Sequence, residues 1–253
     1  MLTNQLNDDA KYAIISCSGG LDSTSLLLHM LAQDLRVKII NFNYGSQQNK
    51  YELKCLKRNL KYLSSKGYEV DYQEIDISKA MNSFKSSLTR KDIENPTGEY
   101  TRENQKIIFV PNRNTIFANI IFGHALTLYQ DTGDGVVVGL GIHKSDNQDN
   151  STYPDCTPEW AESVFNTFKI GNFENKVSMY NPYEDKYKKD VLEDGIKCCK
   201  ILGLSWKRIY KNTLSCYNPN EKGEACGNCP TCVERLKIFK ELKKEDPSAY
   251  MSK

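Results

Sequence analysis

The chain has 253 residues, a formal net charge of +2, 39% hydrophobic residues and 26% charged residues. This length suits one large α/β domain or a domain with a small appendage, and the composition argues against intrinsic disorder. The near-neutral charge argues against a dedicated nucleic-acid binder, and no apolar stretch approaches membrane-spanning length. Residues 1–10 are polar, unlike a signal peptide, and nine cysteines, four of them clustered, suit a reducing compartment. We therefore expect a cytoplasmic protein with no membrane partner.

Short β-branched segments alternate with helical ones along the chain. The predicted strands are Tyr12–Ser16, Val37–Asn43, Glu69–Ile75, Val136–Leu140 and Lys176–Met179. The predicted helices are Ser23–Gln33, Tyr51–Lys66, Asn114–Tyr129, Pro158–Phe168 and Lys188–Leu202. This alternation predicts an α/β fold with a Rossmann-like parallel sheet and helices on both faces. Ligands of such sheets bind beyond the carboxyl ends of the strands.

The first predicted strand leads into the segment Ser18-Gly-Gly-Leu-Asp-Ser23, directly before the first helix. The two glycines lack the Cβ atoms that would block close approach, and the free N–H groups of a helix N-terminus bind anions. No lysine follows the glycines, so this is not the Walker-type loop. The alternative is an ordinary glycine turn between strand and helix. The candidate nucleotide-binding residues are Ser18, Gly19, Gly20, Leu21, Asp22, Ser23 and Thr24.

Residues 78–106 follow the third predicted strand and lack clear periodicity. The segment is polar and contains Pro96 and Gly98. We expect a long insertion or a mobile flap over the site.

Polar side chains follow the predicted strand ends. Tyr44 ends the second strand, and Arg113 stands just before a helix, where its planar guanidinium could bind a phosphate or a carboxylate. A capping and salt-bridge role for Arg113 is equally open. Asp146 could hold magnesium or a substrate amine, or simply form a turn. His143 is better interpreted as a packed loop histidine than as a base or ligand.

The segment Tyr153-Pro-Asp-Cys156 places an aromatic ring and a carboxylate on either side of a stiff proline. Such a loop suits a planar heterocycle, which Tyr153 would stack on and whose ring N–H groups would donate to Asp155. Cys156 is interpreted as structural or substrate-lining, because nothing in the sequence supplies it with a base.

Four cysteines cluster near the C-terminal end, and three of them form a double C-x-x-C motif. They are Cys216, Cys226, Cys229 and Cys232. Two residues between thiols let a tight turn aim both sulfurs at one point, which favours a closed structural zinc site over disulfides or an iron–sulfur cluster. Residues 237–244 carry an interrupted basic run that is typical of the solvated face of a final helix. We predict a nucleotide-binding domain over 1–205 and a small helical zinc-binding segment over 206–253.

Together these motifs resemble one family, the 7-cyano-7-deazaguanine synthases of the queuosine pathway. The first loop also resembles the S-G-G-x-D-S loop of the ATP pyrophosphatases, which cleave ATP between the α and β phosphates. The resemblance rests on Ser18–Ser23, Tyr44-Gly45, Val110-Pro-Asn-Arg-Asn114, Gly141–Asp146, Tyr153-Pro-Asp-Cys156, Lys188 and Ser215-Cys-Tyr217 with the cysteines that follow.

The resemblance implies a specific reaction. The carboxylate of 7-carboxy-7-deazaguanine is adenylated by ATP, ammonia displaces AMP to give an amide, and a second activation gives the nitrile. It also implies a ligase that forms carbon–nitrogen bonds, works as a homodimer and carries one structural zinc per chain. Asp22 would orient the magnesium of the nucleotide, and Lys188 would neutralise phosphate. The candidate catalytic residues are Asp22, Ser23, Arg113 and Lys188, and the candidate substrate-binding residues are Tyr44, Arg113, Asp146, Tyr153 and Asp155.

Two departures from the family pattern stand at strand ends. After Tyr44-Gly45 the family usually reads Gln-Arg-His with a glutamate three positions on, whereas this chain has Ser46-Gln-Gln-Asn-Lys-Tyr-Glu52. The spacing from Asp146 to Tyr153 is longer by about three residues. A divergent member could stop at the amide. An ATP-dependent tRNA-modifying enzyme that shares the pyrophosphate loop, and a zinc-bearing nucleotide sensor, are the competing hypotheses.

Overall fold

A computed structural model describes residues 6–148 and 151–252. The strands are β1 Ala10–Ser16, β2 Arg36–Asn43, β3 Asp71–Asp76, β4 Gly135–Gly139, β5 Asn147–Gln148, β6 Ser151–Thr152 and β7 Val177–Met179. The helices are α1 Leu21–Ala32, α2 Asn49–Ser64, α3 Ser78–Met81, α4 Arg102–Ile108, α5 Arg113–Thr132, α6 Pro158–Ile170, α7 Lys188–Ile201, α8 Trp206–Lys211 and α9 Pro230–Glu241. Residues 1–5 of the polar N-terminal segment and residues 149–150 of the longer Asp146–Tyr153 spacing lie outside the described residues.

Five strands form one parallel sheet in the order β3-β2-β1-β4-β7. In the central strand β1, Ile14 pairs with Lys38 of β2 on one side and with Val138 of β4 on the other. Alternate β1 residues point to opposite faces, yet Ala13, Ile14 and Ile15 are all fully buried. Burial on both sides requires helices on both faces, so the predicted Rossmann-like architecture is confirmed.

Each face of the sheet carries its own apolar core. Ala13 and Ile15 belong to the larger core, which includes side chains of α1, α2, α7, α8 and α9. Ile14 belongs to the second core, which is built with α5 and α6. The carboxyl ends of β1, β2 and β4 emerge between these layers, at the edge where the site forms.

The structure shifts some predicted boundaries and adds elements. Helix α1 begins at Leu21 rather than Ser23, because Leu21 is fully buried and its N–H donates to Ser215 Oγ at 3.2 Å. The helices α3, α4 and α8 were not predicted, since 4, 7 and 6 residues are too few to establish a helical period. The final helix ends at Glu241, within the basic run rather than after it.

Residues 78–106 are a packed part of the molecule. They contain α3 and the start of α4, and side chains from this stretch form a small apolar core with the ends of β2 and α4. The buried members of that core are Tyr44, Met81, Leu88, Ile108 and Val110. The predicted insertion therefore carries apolar side chains that pack on partners distant in sequence, and its mobility stays a prediction.

The C-terminal segment packs directly on the first face of the sheet. Ile209, Tyr210 and Phe239 are buried in the same core as α1 and α7, and the Tyr210 hydroxyl lies 2.7 Å from Ser25 Oγ. The proposed domain boundary at residue 205 stays a prediction. Among the described helices, none has the length and apolar character needed to cross a bilayer.

Candidate active site and metal centre

A cavity of about 340 Å³ opens beyond the carboxyl ends of β1, β2 and β4. This is the edge at which a parallel sheet is expected to bind ligands. Most of the residues predicted to act at the site line it together: Ser18, Gly20, Asp22, Ser23, Tyr44, Arg113, Asp146, Tyr153, Asp155 and Lys188. Gly19, Leu21 and Thr24 are not among the lining residues.

The loop between β1 and α1 is held in a fixed shape. Ser18 Oγ accepts a hydrogen bond from Gly20 N at 3.1 Å and lies 3.4 Å from Ser23 Oγ. Gly19 has a φ of +98°, and a Cβ there would collide with the backbone carbonyl oxygen of Glu52. The missing side chain of Gly19 therefore makes room for α2 and not for a ligand. Gly20, in contrast, lines the cavity.

A cluster of buried and half-buried charged side chains stands at the start of α1. Lys188 Nζ lies 3.2 Å from Asp22 Oδ2 and 2.8 Å from Glu234 Oε2. His143 is also buried, with Nε2 at 3.7 Å from Asp22 Oδ1 and Nδ1 at 3.5 Å from Asp146 Oδ2. Five side chains from four parts of the chain thus form one electrostatic unit beside the loop.

Asp22 and Lys188 hold each other in their charged forms. Burial would raise the pKa of the Asp22 carboxyl, but the neighbouring Lys188 and His143 outweigh burial and lower it. Burial would lower the pKa of Lys188, but Asp22 and Glu234 raise it well above its ordinary value. At Asp146 burial prevails over His143 and Lys188, and the pKa is raised. The Lys188 ammonium group is therefore held in place beside the loop, where it faces the cavity.

Arg113 begins α5 and turns its guanidinium over aromatic rings. Its Cζ lies 5.4 Å from the centre of the Tyr44 ring and 5.9 Å from that of Phe117, and Nη1 donates to the Tyr44 hydroxyl at 3.5 Å. Within residues 6–148 and 151–252, no carboxylate lies within 4.0 Å of this guanidinium. The salt-bridge interpretation thus finds no partner there, and the half-buried Arg113 guanidinium faces the cavity.

The Tyr153-Pro-Asp-Cys156 segment forms the wall next to Arg113. Asn114 Nδ2 donates to the Asp155 carbonyl oxygen at 3.1 Å and to Cys156 Sγ at 3.5 Å, which ties this wall to α5. Burial raises the pKa of the Asp155 carboxyl although Arg113 opposes the shift. Burial also raises the pKa of the Cys156 thiol well above its ordinary value. A thiol that stays protonated suits a lining role and not a nucleophile.

Residues 78–106 and the C-terminal segment meet across the mouth of the cavity. The Tyr100 and Tyr217 hydroxyls lie 2.8 Å apart, and both side chains line the cavity. Asn95 Nδ2 donates to the Tyr217 carbonyl oxygen at 3.1 Å, and Gly98 N donates to the Asn228 carbonyl oxygen at 2.8 Å. One wall of the site is therefore built from two segments more than 100 positions apart in sequence.

Sequence reasoning missed several side chains at this site. His143 was interpreted as a packed loop residue, and Glu234, Glu52, Tyr100 and Tyr217 were given no role. His143 and Tyr217 carry a signal, because they belong to the Gly141–Asp146 and Ser215-Cys-Tyr217 motifs. Glu52 and Tyr100 reach the cavity, and Glu234 reaches Lys188, only through tertiary contacts.

The four clustered cysteines converge on one point. Their Sγ atoms all lie within 4.8 Å of one another, and Cys226 Sγ is 4.0 Å from Cys232 Sγ. Four sulfurs bound to one ion at about 2.3 Å would lie about 3.8 Å apart, so the spacing fits a single tetrahedral ion better than a larger cluster. All nine cysteines lie in the described ranges, and none is in a disulfide.

Local backbone geometry supports thiolates at this centre. Cys216 Sγ accepts hydrogen bonds from the backbone N–H groups of Asn218 and Cys226, at 3.3 and 3.2 Å. Cys226 Sγ accepts one from Cys229 N at 3.3 Å. Such bonds stabilise negative charge on sulfur. Cys229 caps α9, so the residues that would hold the ion also begin the helix that carries Glu234.

The family model described as "Queuosine biosynthesis protein QueC" matches residues 12–243 of the chain. This match covers the loop, the cavity walls and the four cysteines. The chain belongs to the QueC family. Membership in the QueC family confirms the resemblance that its motifs predicted.

Two curated relatives illustrate the similarity. The 7-cyano-7-deazaguanine synthase 1 of Colwellia psychrerythraea is 35% identical over 241 residues, which cover 95% of this chain and 99% of the relative. The 7-cyano-7-deazaguanine synthase of Hahella chejuensis is 37% identical over 242 residues, which cover 95% and 93%. Among solved structures, a 4-thiouridine synthetase in complex with RNA and ATP is similar at a TM-score of 0.46 and 14% identity, covering 92% of this chain and 51% of that one. That likeness is too distant to bear on function.

Proposed function

We propose that this chain converts 7-carboxy-7-deazaguanine and ammonia to 7-cyano-7-deazaguanine, with ATP consumed to activate the carboxylate and then the amide. The observation that carries the proposal is that one cavity joins the Ser18–Ser23 loop, Arg113 and the Tyr153–Cys156 wall. A nucleotide and a planar acid could therefore meet in one space. The curated relatives with 35% and 37% identity bear names for this activity.

The loop and its charged neighbours would bind ATP. The N-terminal N–H groups of α1 and the hydroxyls of Ser18 and Ser23 would hold the leaving pyrophosphate. Lys188, already fixed at 3.2 Å from Asp22, would neutralise its charge. Asp22 Oδ1 is buried and has no hydrogen-bond partner in the described structure, which suits a carboxylate that orients magnesium. Magnesium, when bound, would share the charge of the phosphates.

The opposite wall would bind the deazapurine. Tyr153 would stack on the ring, and Asp155 would accept hydrogen bonds from ring N–H groups. The guanidinium of Arg113, without a carboxylate partner in the described ranges, would bind the substrate carboxylate or the phosphate that becomes attached to it. No residue needs to form a covalent intermediate, because adenylation already gives the carboxylate a good leaving group.

The four cysteines would hold a structural zinc. All four ligand positions would be protein sulfurs, so no open position is left for water or substrate. Zinc would act by ordering residues 214–217, since Leu214 N donates to the Gly19 carbonyl oxygen at 3.1 Å and Ser215 Oγ accepts from Leu21 N at 3.2 Å. The metal would thus support the loop without taking part in the reaction.

The test is mass spectrometry of the products after the purified protein is incubated with ATP, magnesium, ammonium and 7-carboxy-7-deazaguanine. We expect the nitrile together with AMP. If the amide forms without the nitrile, the proposed reaction is wrong and the enzyme stops at the amide. An unchanged deazapurine, with ATP bound, would overturn it.

A further inference from the structure

One wall of the cavity has no role in the function proposed above. It is formed by Gln48 and Glu52, at the start of α2. These residues are four positions apart, so their side chains share one face of the helix. They belong to the Ser46–Glu52 segment in which this chain departs from the family pattern.

Both side chains present oxygen acceptors to the cavity. Gln48 is 4% exposed, and its amide oxygen has no hydrogen-bond partner in the described part of the chain. Glu52 is partly buried, and no lysine, arginine or histidine of the described ranges lies within 4.0 Å of its carboxylate. Leaving the buried Gln48 oxygen unpaired costs free energy, and the Glu52 carboxylate has no cation paired with it in those ranges. The wall therefore suits a ligand that donates hydrogen bonds and carries positive charge.

The position of this wall matters as much as its chemistry. The Glu52 backbone carbonyl packs against Gly19, so the acid sits next to the loop proposed to hold the nucleotide phosphates. The neighbouring cation Arg113 faces the same cavity and influences Glu52 without pairing with it. The part of the cavity beside Glu52 is therefore bounded by the Ser18–Ser23 loop, by the Tyr153–Cys156 wall and by the side-chain oxygens of Gln48 and Glu52.

The carboxyl group of Glu52 can take up and release a proton near neutral pH. Burial raises its pKa to about 8, and Arg113 only partly opposes the shift. A cation bound beside it would lower that pKa and favour the ionised form. A proton acceptor works best when its pKa lies near the working pH.

We propose that Gln48 and Glu52 form an ammonium-binding site, in which Glu52 takes the proton that ammonium must lose before its nitrogen can attack. Two of the four N–H donors of ammonium would bind the side-chain oxygens of Gln48 and Glu52. Ammonium gives one proton to the Glu52 carboxylate, and the freed lone pair forms the C–N bond to the adenylated carboxyl carbon. The C–O bond to AMP breaks, AMP leaves with its electron pair, and a second proton passes to solvent as the amide forms. This inference rests on the proposed function.

Hydroxylamine separates this role from a general loss of activity, because it is a nucleophile that is largely unprotonated at neutral pH. In Glu52→Gln we expect amide formation from ammonium to fall by at least about 100-fold. Hydroxamate formation from hydroxylamine should stay within about threefold of the wild type, and ATP–pyrophosphate exchange should continue. Gln48→Leu should raise the KM for ammonium by about tenfold, the loss of one charge-assisted hydrogen bond. The matched control is Glu74→Gln, an exposed glutamate on β3 that pairs with Lys57.

Three outcomes distinguish the proposals. If Glu52→Gln uses ammonium as fast as the wild type, or loses ammonium and hydroxylamine alike, the ammonium site is wrong and the proposed function stands. A wild-type chain that releases no AMP with 7-carboxy-7-deazaguanine overturns the proposed function and the ammonium site with it.

Discussion

At the scale of single residues, Lys188 is a buried cation that lines the cavity and is held between two carboxylates. Its ammonium lies between the carboxylates of Asp22 and Glu234, and its side chain is only 10% exposed. Removing one partner of such a buried group leaves the others with uncompensated charge. The lysine is thus tied to two roles, the stability of the cluster and the proposed binding of phosphate.

We expect Lys188→Met to reduce AMP formation by at least about 100-fold, because the charge that would offset the departing pyrophosphate is lost. Steady-state release of pyrophosphate measures this. Lys197→Met, on the same helix but exposed and paired only with Glu193, should leave the rate unchanged. Equal rates for the two variants would rule out a role for Lys188 in the reaction.

Glu52 should make the folded protein less stable as the pH rises. Its pKa in the folded chain, raised by burial to about 8 from an ordinary 4.5, means that the folded state holds the proton more tightly than the unfolded state. Its contribution to the free energy of unfolding is fully present below about pH 4.5 and is lost as the pH rises through about 8. The wild type should therefore lose stability relative to Glu52→Gln between pH 5 and pH 8.5. Urea unfolding of both proteins at the two pH values measures the difference, and a constant difference would contradict the raised pKa.

At the scale of elements, the contact between α1 and α7 brings Lys188 to the loop. Gly195 of α7 faces Ser25 of α1 and Tyr210 of α8, and a Cβ at this glycine would meet both side chains. The hydrogen bond between Ser25 and Tyr210 fills the space that the missing side chain leaves. Glycine in a helix is costly, so close packing is the reason for its presence here.

Gly195→Ala should lower the free energy of unfolding by about 1–3 kcal/mol, because the added methyl group overpacks the interface. Gly123→Ala is the matched control, since this helical glycine of α5 has nothing within 4 Å of the added Cβ. That variant should stabilise the protein by about 0.5–1 kcal/mol. Denaturant unfolding measures both changes, and a shift of the same sign in both would contradict the packing argument.

At the scale of the whole molecule, the C-terminal segment completes the site. Arg235 and Asp246 form a buried pair with distances of 2.7 and 3.1 Å, and this pair anchors the end of the chain against α8. From the same segment come Ser215 and Tyr217 at the cavity and Glu234 beside Lys188. A metal that orders the four cysteines would therefore stabilise residues on both sides of the cavity.

Cys229→Ser should abolish metal binding and lower the midpoint of thermal unfolding by about 10 °C, since metal binding contributes directly to folding. Metal content by atomic emission and the unfolding midpoint by calorimetry measure the two effects. Cys55→Ser removes a thiol outside the cluster and should retain the metal. A Cys229→Ser protein that keeps one equivalent of metal would exclude the four-cysteine site.

Local patterns in the amino-acid sequence are enough to predict part of this structure. The five strands of the sheet, the loop before α1 and the four cysteines follow from hydrophobic runs, glycine turns and short spacings, which act over a few residues. The pairing of Lys188 with Glu234, the place of His143 between Asp22 and Asp146, and the contact between Tyr100 and Tyr217 came only from the tertiary structure. No local pattern specifies such contacts, because they depend on how the sheet, residues 78–106 and the C-terminal segment pack around one cavity.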